Sequence, residues 1–262
     1  KRGDAASATV NAQYFFGAPA GNVDATWTIF AQPSYFYLPG YQTGLLNTTW
    51  YYTSEPPTEL GTDEERKGKT DAQGKLSIPL PAVPASEEPQ TVMLEVTVLD
   101  ESGFPISARS ELVVHPADFY IGLRSDSWIG KANEAMGFDV VTTDWAKNPS
   151  GDHTLAAEFK QVSWERETSE FGQIIYKPIY TPVSSSNLAT GPDGRARLSF
   201  VPPNAGTFML DVSGGNTSTG SVRSQLLIWV GGPGTAAWPQ LDNNKIQLTA
   251  GKDSYNPGDT AT

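Results

Sequence analysis

The chain has 262 residues and a mass of 28.2 kDa, enough at roughly 100–150 residues per domain for about two domains with cores of their own. Its net charge of −11, from 29 Asp and Glu against 18 Lys and Arg, repels phosphate backbones and excludes nucleic acid as a partner. Cysteine is absent, so disulfides, thiolate metal sites, a Cys nucleophile and a thioester are excluded within this stretch.

Along the chain, Lys1-Arg2-Gly3-Asp4 comes first, without an initiator Met or a signal-peptide pattern, and is read as an entry into a longer protein. Ala12–Ala20 carries an aromatic strand and an Ala18-Pro19-Ala20-Gly21 turn. Tyr35, Phe36, Tyr37, Tyr41, Trp50, Tyr51 and Tyr52 then crowd together. Because neighbouring strand residues face opposite sides, these aromatics are assigned to core and inter-module packing, with a sugar-stacking platform as the rival reading. Thr62–Lys69 holds a run of mixed charge read as a mobile, exposed loop and the first trypsin target. The turn Asp71-Ala72-Gln73-Gly74 and the alternating Leu76, Ile78 and Leu80 follow. His115-Pro116 marks a junction, since the residue before proline is pushed to extended conformations.

Beyond the junction, strands are expected near 117–124, 134–144, 153–165, 174–180, 195–201, 207–213 and 221–230. Asn148-Pro149-Ser150-Gly151, Pro192-Asp193-Gly194 and Pro202–Gly206 separate them. Gly231-Gly232-Pro233-Gly234 reads as a linker. Several pieces then prove to recur in order. Thr70…Gly74 returns as Thr190…Gly194, Met93-Leu94-Glu95-Val96 as Met209-Leu210-Asp211-Val212, and Ser107–Leu112 as Ser221–Leu226. Asp126-Ser127-Trp128 returns as Asp253-Ser254-Tyr255, with Phe119 and Ile121 opposite Ile246 and Leu248. This predicts a module at 1–115 lacking its first strand, a module at 116–232, and at 233–262 a linker and the opening strand of a third. Seven short strands per module give an all-β fold of tandem antiparallel sandwiches of the immunoglobulin or fibronectin type III sort.

No catalytic, cofactor-binding or metal-binding residue is assigned. His115 and His153 lie on different modules, outside any nucleophile-elbow or His-Glu-x-x-His context. Asp63-Glu64-Glu65 and Asp100-Glu101-Ser102-Gly103 lack the ligand ladder of a calcium loop and are read as solvated hairpin tips. Arg2-Gly3-Asp4 has the counterpart Pro257-Gly258-Asp259 in the tail, which makes it turn chemistry rather than an adhesive motif. Asn47-Thr48-Thr49 and Asn216-Thr217-Ser218 fit a glycosylation sequon, relevant only in a eukaryotic secretory host.

Three stretches resemble the macroglobulin-type sandwiches of bacterial α2-macroglobulins: Ala12–Ala20, Tyr120–Trp128 with Thr143–Pro149, and the tail Ile246–Ala261. The resemblance implies two macroglobulin domains just upstream of the bait-region domain, in a protease inhibitor that is periplasmic or extracellular, of a family often lipid-anchored in the membrane through a distant N-terminus. It implies target proteases as partners of the full-length protein, neighbouring macroglobulin domains as partners of this segment, and no membrane contact. The family's Cys-x-x-Gln thioester motif is not in this segment, so the implied role is scaffold and not enzyme. The alternative is a surface adhesin or carbohydrate-binding stalk of similar sandwiches.

Overall fold

Where β-branched and aromatic residues alternate with polar ones, the chain runs as strands. The computed structural model describes residues 1–46, 57–62, 66–99, 103–168, 172, 174–216 and 220–232, and every regular element among them is a β-strand. The expected all-β class holds.

The first half contains β1 (Ser7–Asn11), β2 (Asp24–Pro33), β3 (Thr58–Leu60), β4 (Lys67–Lys69), β5 (Lys75–Pro79), β6 (Gln90–Leu99) and β7 (Pro105–Val114). One sheet runs β3-β2-β6-β7, with β4 also on β2, and β1 pairs with β5 in a second. Alternate residues of β2 and β6 turn inward, so Trp27, Ile29, Val92, Leu94 and Val96 meet Ile78 of β5 in one core.

The second half contains β8 (Tyr120–Ser125), β9 (Ile129–Lys131), β10 (Met136–Thr143), β11 (Thr154–Thr168), β12 (Ile174–Ala189), β13 (Arg195–Phe200), β14 (Gly206–Asn216) and β15 (Gly220–Gly231). Its sheets run β13-β10-β8 and β12-β11-β14-β15-β9. A separate core lies between them, where Phe159 stacks on Phe200 at 4.1 Å and Phe138, Phe208 and Ile121 are wholly buried.

The two halves turn the same corner in the same way. Ala12 N donates to Gly74 O and Ala20 N to Ala12 O; Thr142 N donates to Gly194 O and Ser150 N to Thr142 O. The hydroxyls of Thr70 and Thr190, both buried, accept from Val23 N and His153 N. Gly74 and Gly194 sit at φ +74° and +70°, where a Cβ would press into the carbonyl oxygens of Ala12 and Thr142, so only glycine fits without strain. Turn chemistry read from the sequence therefore has a tertiary purpose: it locks the corner against the neighbouring strand.

The structure departs from expectation in four places. Strand β12 runs on to Ala189, far past 180, because its polar Ser184–Asn187 stretch lies on an edge strand with its side chains in solvent. Strand β9 is an addition, pairing parallel to Trp229–Gly231 of β15. The recurrence of Ser107–Leu112 as Ser221–Leu226 is offset from the ladder by two residues. Ala108 pairs with Val96 and Ser224 with Val212, so Ser224, not Val222, takes the place of Ala108. A slip of two leaves every side chain on its own face. Finally, the mobile-loop reading of Thr62–Lys69 is corrected at its far end. Lys67–Lys69 pairs with Asp24–Thr26, Arg66 ion-pairs with Glu59 and donates to Gly61 O at 2.7 Å, and Lys69 meets Asp24 at 3.0 Å. Gly68 lets this strand lie against the Trp27 ring. Asp63-Glu64-Glu65 lies outside the described residues, as do Asp100-Glu101-Ser102 and Trp50-Tyr51-Tyr52.

Candidate functional site at the junction of the two sandwiches

The densest long-range chemistry outside the cores lies where the halves meet. Strand β8 is the edge of its three-stranded sheet, and its outer backbone groups need partners. Gln42, from the first half, supplies them: Gln42 N donates to Leu123 O and Leu123 N to Gln42 O, both at 2.8 Å. Two residues on, the same segment reaches β15. Gly44 N donates to the Ser224 hydroxyl at 3.0 Å, Gln225 N donates to Gly44 O at 3.0 Å, and Leu46 N donates to Gln225 Oε1 at 3.1 Å. The buried Ser224 hydroxyl in turn donates to Ile121 O at 2.7 Å, tying β15 to β8. Residues 36–46 are thus a strap from the first sandwich along the seam between the two sheets of the second.

Aromatic and charged groups fasten the strap. The Phe36 ring lies parallel to Tyr120 at 3.7 Å and packs against the second core. The Arg124 guanidinium sits 4.9 Å over the Tyr41 ring. Leu38 is buried against Gly122, where a Cβ would come within 2.8 Å of its Cδ2. The missing side chain of Gly122 is what lets the strap lie flat on β8.

Beside the strap, Asp211 is only 4% exposed and accepts from Arg223 Nε at 2.7 Å, Arg223 Nη2 at 2.6 Å, Lys160 Nζ at 2.8 Å and Gln225 Nε2 at 3.3 Å. Burial pushes this carboxyl up, but the bonds from Arg223 and Lys160 together outweigh it and hold it below the ordinary Asp value. Hydrogen bonding to Asp211 likewise raises Arg223, which reaches Glu87 of the first half at 3.5 Å. On the far side of the junction Lys1 Nζ meets Asp118 at 2.8 Å and Arg2 N donates to His115 O. Lys1–Asp4 closes a tight turn with Gly3 at φ +89°, in keeping with the turn reading of Arg2-Gly3-Asp4.

Backbone bonds and stacked rings thus join one sandwich to the next, and the Asp211 cluster reaches the first through Arg223 and Glu87. Residues 1–116 match the family model described as the bacterial alpha-2-macroglobulin MG5 domain. The chain is 24% identical over 264 residues to an alpha-2-macroglobulin homolog of Nostoc sp., covering 99% of this chain and 14% of that protein. The chain is thus similar to bacterial alpha-2-macroglobulins over nearly its whole length. Its fold is also that of solved macroglobulins. Native Escherichia coli alpha-2-macroglobulin superimposes with a TM-score of 0.57 at 20% identity, over 98% of this chain and 17% of that one. The E. coli protein activated by porcine elastase superimposes at 0.58 and 19% identity, over 88% of this chain and 21% of that one. The chain thus spans about a sixth of the macroglobulins it matches.

The residues weighed from sequence take structural places. His115 Nδ1 lies 2.8 Å from the Tyr120 hydroxyl, with its ring stacked 4.5 Å from Trp145. His153 Nε2 lies 2.8 Å from the Ser150 hydroxyl, and its ring stacks 3.8 Å from Phe119. Burial pushes both imidazoles below their ordinary value. The Ser150–His153 contact is made within a single turn whose backbone is already tied to Thr142, so it reads as a cap. Among the described residues no group of three or more His, Cys, Asp or Glu side chains is placed to hold a metal ion. Of the crowded aromatics, Phe36 and Tyr41 serve the junction, whereas Tyr35 and Tyr37 are exposed. Sequence reasoning missed Gln42, Gly44, Gly122 and Ser224 as junction residues. Only the glycine in the β8 pattern Tyr120-Ile121-Gly122-Leu123 offered a local hint.

Proposed function

We propose that this chain is a structural scaffold segment of a bacterial alpha-2-macroglobulin-like protease inhibitor that works in the periplasm or outside the cell. Its units in this reading are a sandwich at 1–115, a sandwich at 116–232, and at 233–262 a linker with the first strand of a further domain. The segment carries no reactive or catalytic residue of its own, and its partners are neighbouring macroglobulin domains. Target proteases engage the full-length protein.

The strap carries this reading. It joins the first half to β8 and β15 of the second by five backbone or side-chain bonds from Gln42, Gly44 and Leu46, so the two sandwiches move as one lever when strain is released elsewhere. The elastase-activated E. coli relative supports a role in protease capture for the larger protein.

Two measurements test it. The isolated 262 residues are expected to leave trypsin and elastase activity unchanged at stoichiometric and higher ratios; inhibition by this segment alone overturns the scaffold reading. In a longer protein containing it, Gly122→Ala is expected to impair protease trapping while the reaction of any thioester elsewhere is kept. Unimpaired trapping by that variant removes the lever from the account.

A further inference from the structure

The outer face of the sheet β12-β11-β14-β15-β9 carries two features that neither the core nor the strap uses. Its ladders set side chains in rows across the strands. One row is Arg223–Ser213–Ala156–Asn187, and the next is Gln225–Asp211–Glu158–Ser185. Small side chains at Ala156 and Ser213 leave a hollow of about 310 Å³ there, with the edge strand β12 as one wall. The charges around it are paired: Asp211 is held by Arg223 and Lys160, and Glu158 meets Lys160 at 3.0 Å. The hydroxyls and amide are not. Among the described residues, the side chains of Ser185, Ser186, Asn187 and Ser213 have no hydrogen-bond partner.

The second feature lies further along the same face, about 20 Å from Ser213 to Thr207 on β14. The row Ile129–Trp229–Thr207–Val162–Tyr180 crosses all five strands there. Thr207 and Val162 are buried, whereas Trp229, Tyr180 and Ile129 keep 37%, 39% and 67% of their surface exposed. An aromatic band and a polar hollow thus share one face.

We propose that this face binds a neutral glycan, with sugar hydroxyls seated in the hollow and further sugar rings lying against the aromatic row. Serine hydroxyls and an asparagine amide both donate and accept, so the hollow suits a ligand whose groups do the same. It leaves no uncommitted charge for an ion, and a net charge of −11 repels a polyanion. Sugar hydroxyls donate and accept, and the C–H bonds of a pyranose pack against the negative face of an aromatic ring. A proline-rich segment also lies on aromatic rings, but it brings carbonyl acceptors and few donors. A protein interface has an apolar centre and a polar rim; here the ion cluster of Asp211, Lys160 and Glu158 is in the middle and the apolar groups are at one end. The proposal is independent of the scaffold reading, which concerns the strap.

The test titrates the whole chain by calorimetry with cellohexaose, maltohexaose and chitohexaose. At least one is expected to bind weakly and one to one, and the acidic hexagalacturonate to bind less well than the best of them. Ala156→Ile fills the hollow from an exposed position of β11, and Trp229→Ala removes a ring from the aromatic row. Each is expected to weaken binding about tenfold, with circular dichroism showing that both variants stay folded. No binding of any neutral hexasaccharide at millimolar concentration overturns the proposal. Binding that both variants leave unchanged also overturns it, because the sugar then sits elsewhere. So does tighter binding of a proline-rich peptide that the same two variants weaken, which assigns the face to an extended chain.

Discussion

Residues 7–114 and 117–230 turn the same hydrogen-bonded corner yet pack different cores around it. In both, a glycine at positive φ receives the strand before it and a buried threonine hydroxyl bonds the strand after it. The second half is packed under β8 and the strap, and its core holds five buried phenylalanines, Phe119, Phe138, Phe159, Phe200 and Phe208. The core of the first half is made of smaller aliphatics around Trp27. The corner needs only a few backbone and threonine bonds between its strands, and so it repeats in both halves. A core depends on every strand around it, and so the two cores differ.

The largest way to sharpen this contrast is to cut into the sealed core. Phe138→Ala is expected to cost about 3–5 kcal/mol in urea unfolding, whereas Val10→Ala, half-buried on the matching strand of the first half, is expected to cost under about 1 kcal/mol. Equal losses would mean that the two positions are packed alike.

Next come two carboxylates at matching positions. Asp211 is buried beneath Arg223 and Lys160, while Glu95 forms an exposed pair with Arg109. Asp211→Ala strands two cations and is expected to cost about 3 kcal/mol; Glu95→Ala should cost less than about 1 kcal/mol. The sign with pH is also set. The folded pKa of Asp211 lies below its unfolded value, so its contribution is complete above the ordinary Asp range and is lost as pH falls through the folded value. An Asp211→Ala variant should therefore lose less stability on acidification than the parent.

Gly122→Ala breaks the strap rather than the core. Its Cβ meets Leu38 at 2.8 Å, Val141 of β10 at 2.9 Å and Tyr41 at 3.0 Å, and with two of the three contacts on the strap an expected cost of about 1–3 kcal/mol should fall first on the junction. Hydrogen exchange should quicken at Gln42, Gly44 and Leu123 and stay unchanged at Phe208. Uniform quickening would show that the strap and the second core unfold together.

The smallest expected effect belongs to the histidines. Both titrate below their ordinary value in the fold because burial disfavours the charged ring. The unfolded chain therefore binds more protons in the window just below about pH 6.5, and stability rises with pH through that window. The Tm should drift down as pH is lowered from about 7 to about 5, and the His115→Gln/His153→Gln double variant should remove that drift. A drift of the same size in the double variant would assign it to the carboxylates.

Much of the architecture was legible because it is written in short-range terms. Period-2 alternation in Asp24–Pro33 and Gln90–Leu99, and the Asp71–Gly74 and Pro192–Gly194 turns, need only neighbouring residues to be read. The same logic failed at Ser184–Asn187 and at Lys67–Lys69. There an edge position or a glycine beside Trp27 admits polar residues to a strand, and no local pattern marks it. The sequence by itself determined the all-β class, the recurrence of one turn-and-strand pattern, and the absence of any thiol chemistry. Only the tertiary structure decided that Gln42 and Gly44 would bind β8 and β15, and that Asp211 would be buried while Glu95 stayed wet. Backbone groups are the same at every residue, so an edge strand's choice of partner leaves no signature in side-chain order. Burial, likewise, depends on what lies across the sheet and not on what lies next in the chain.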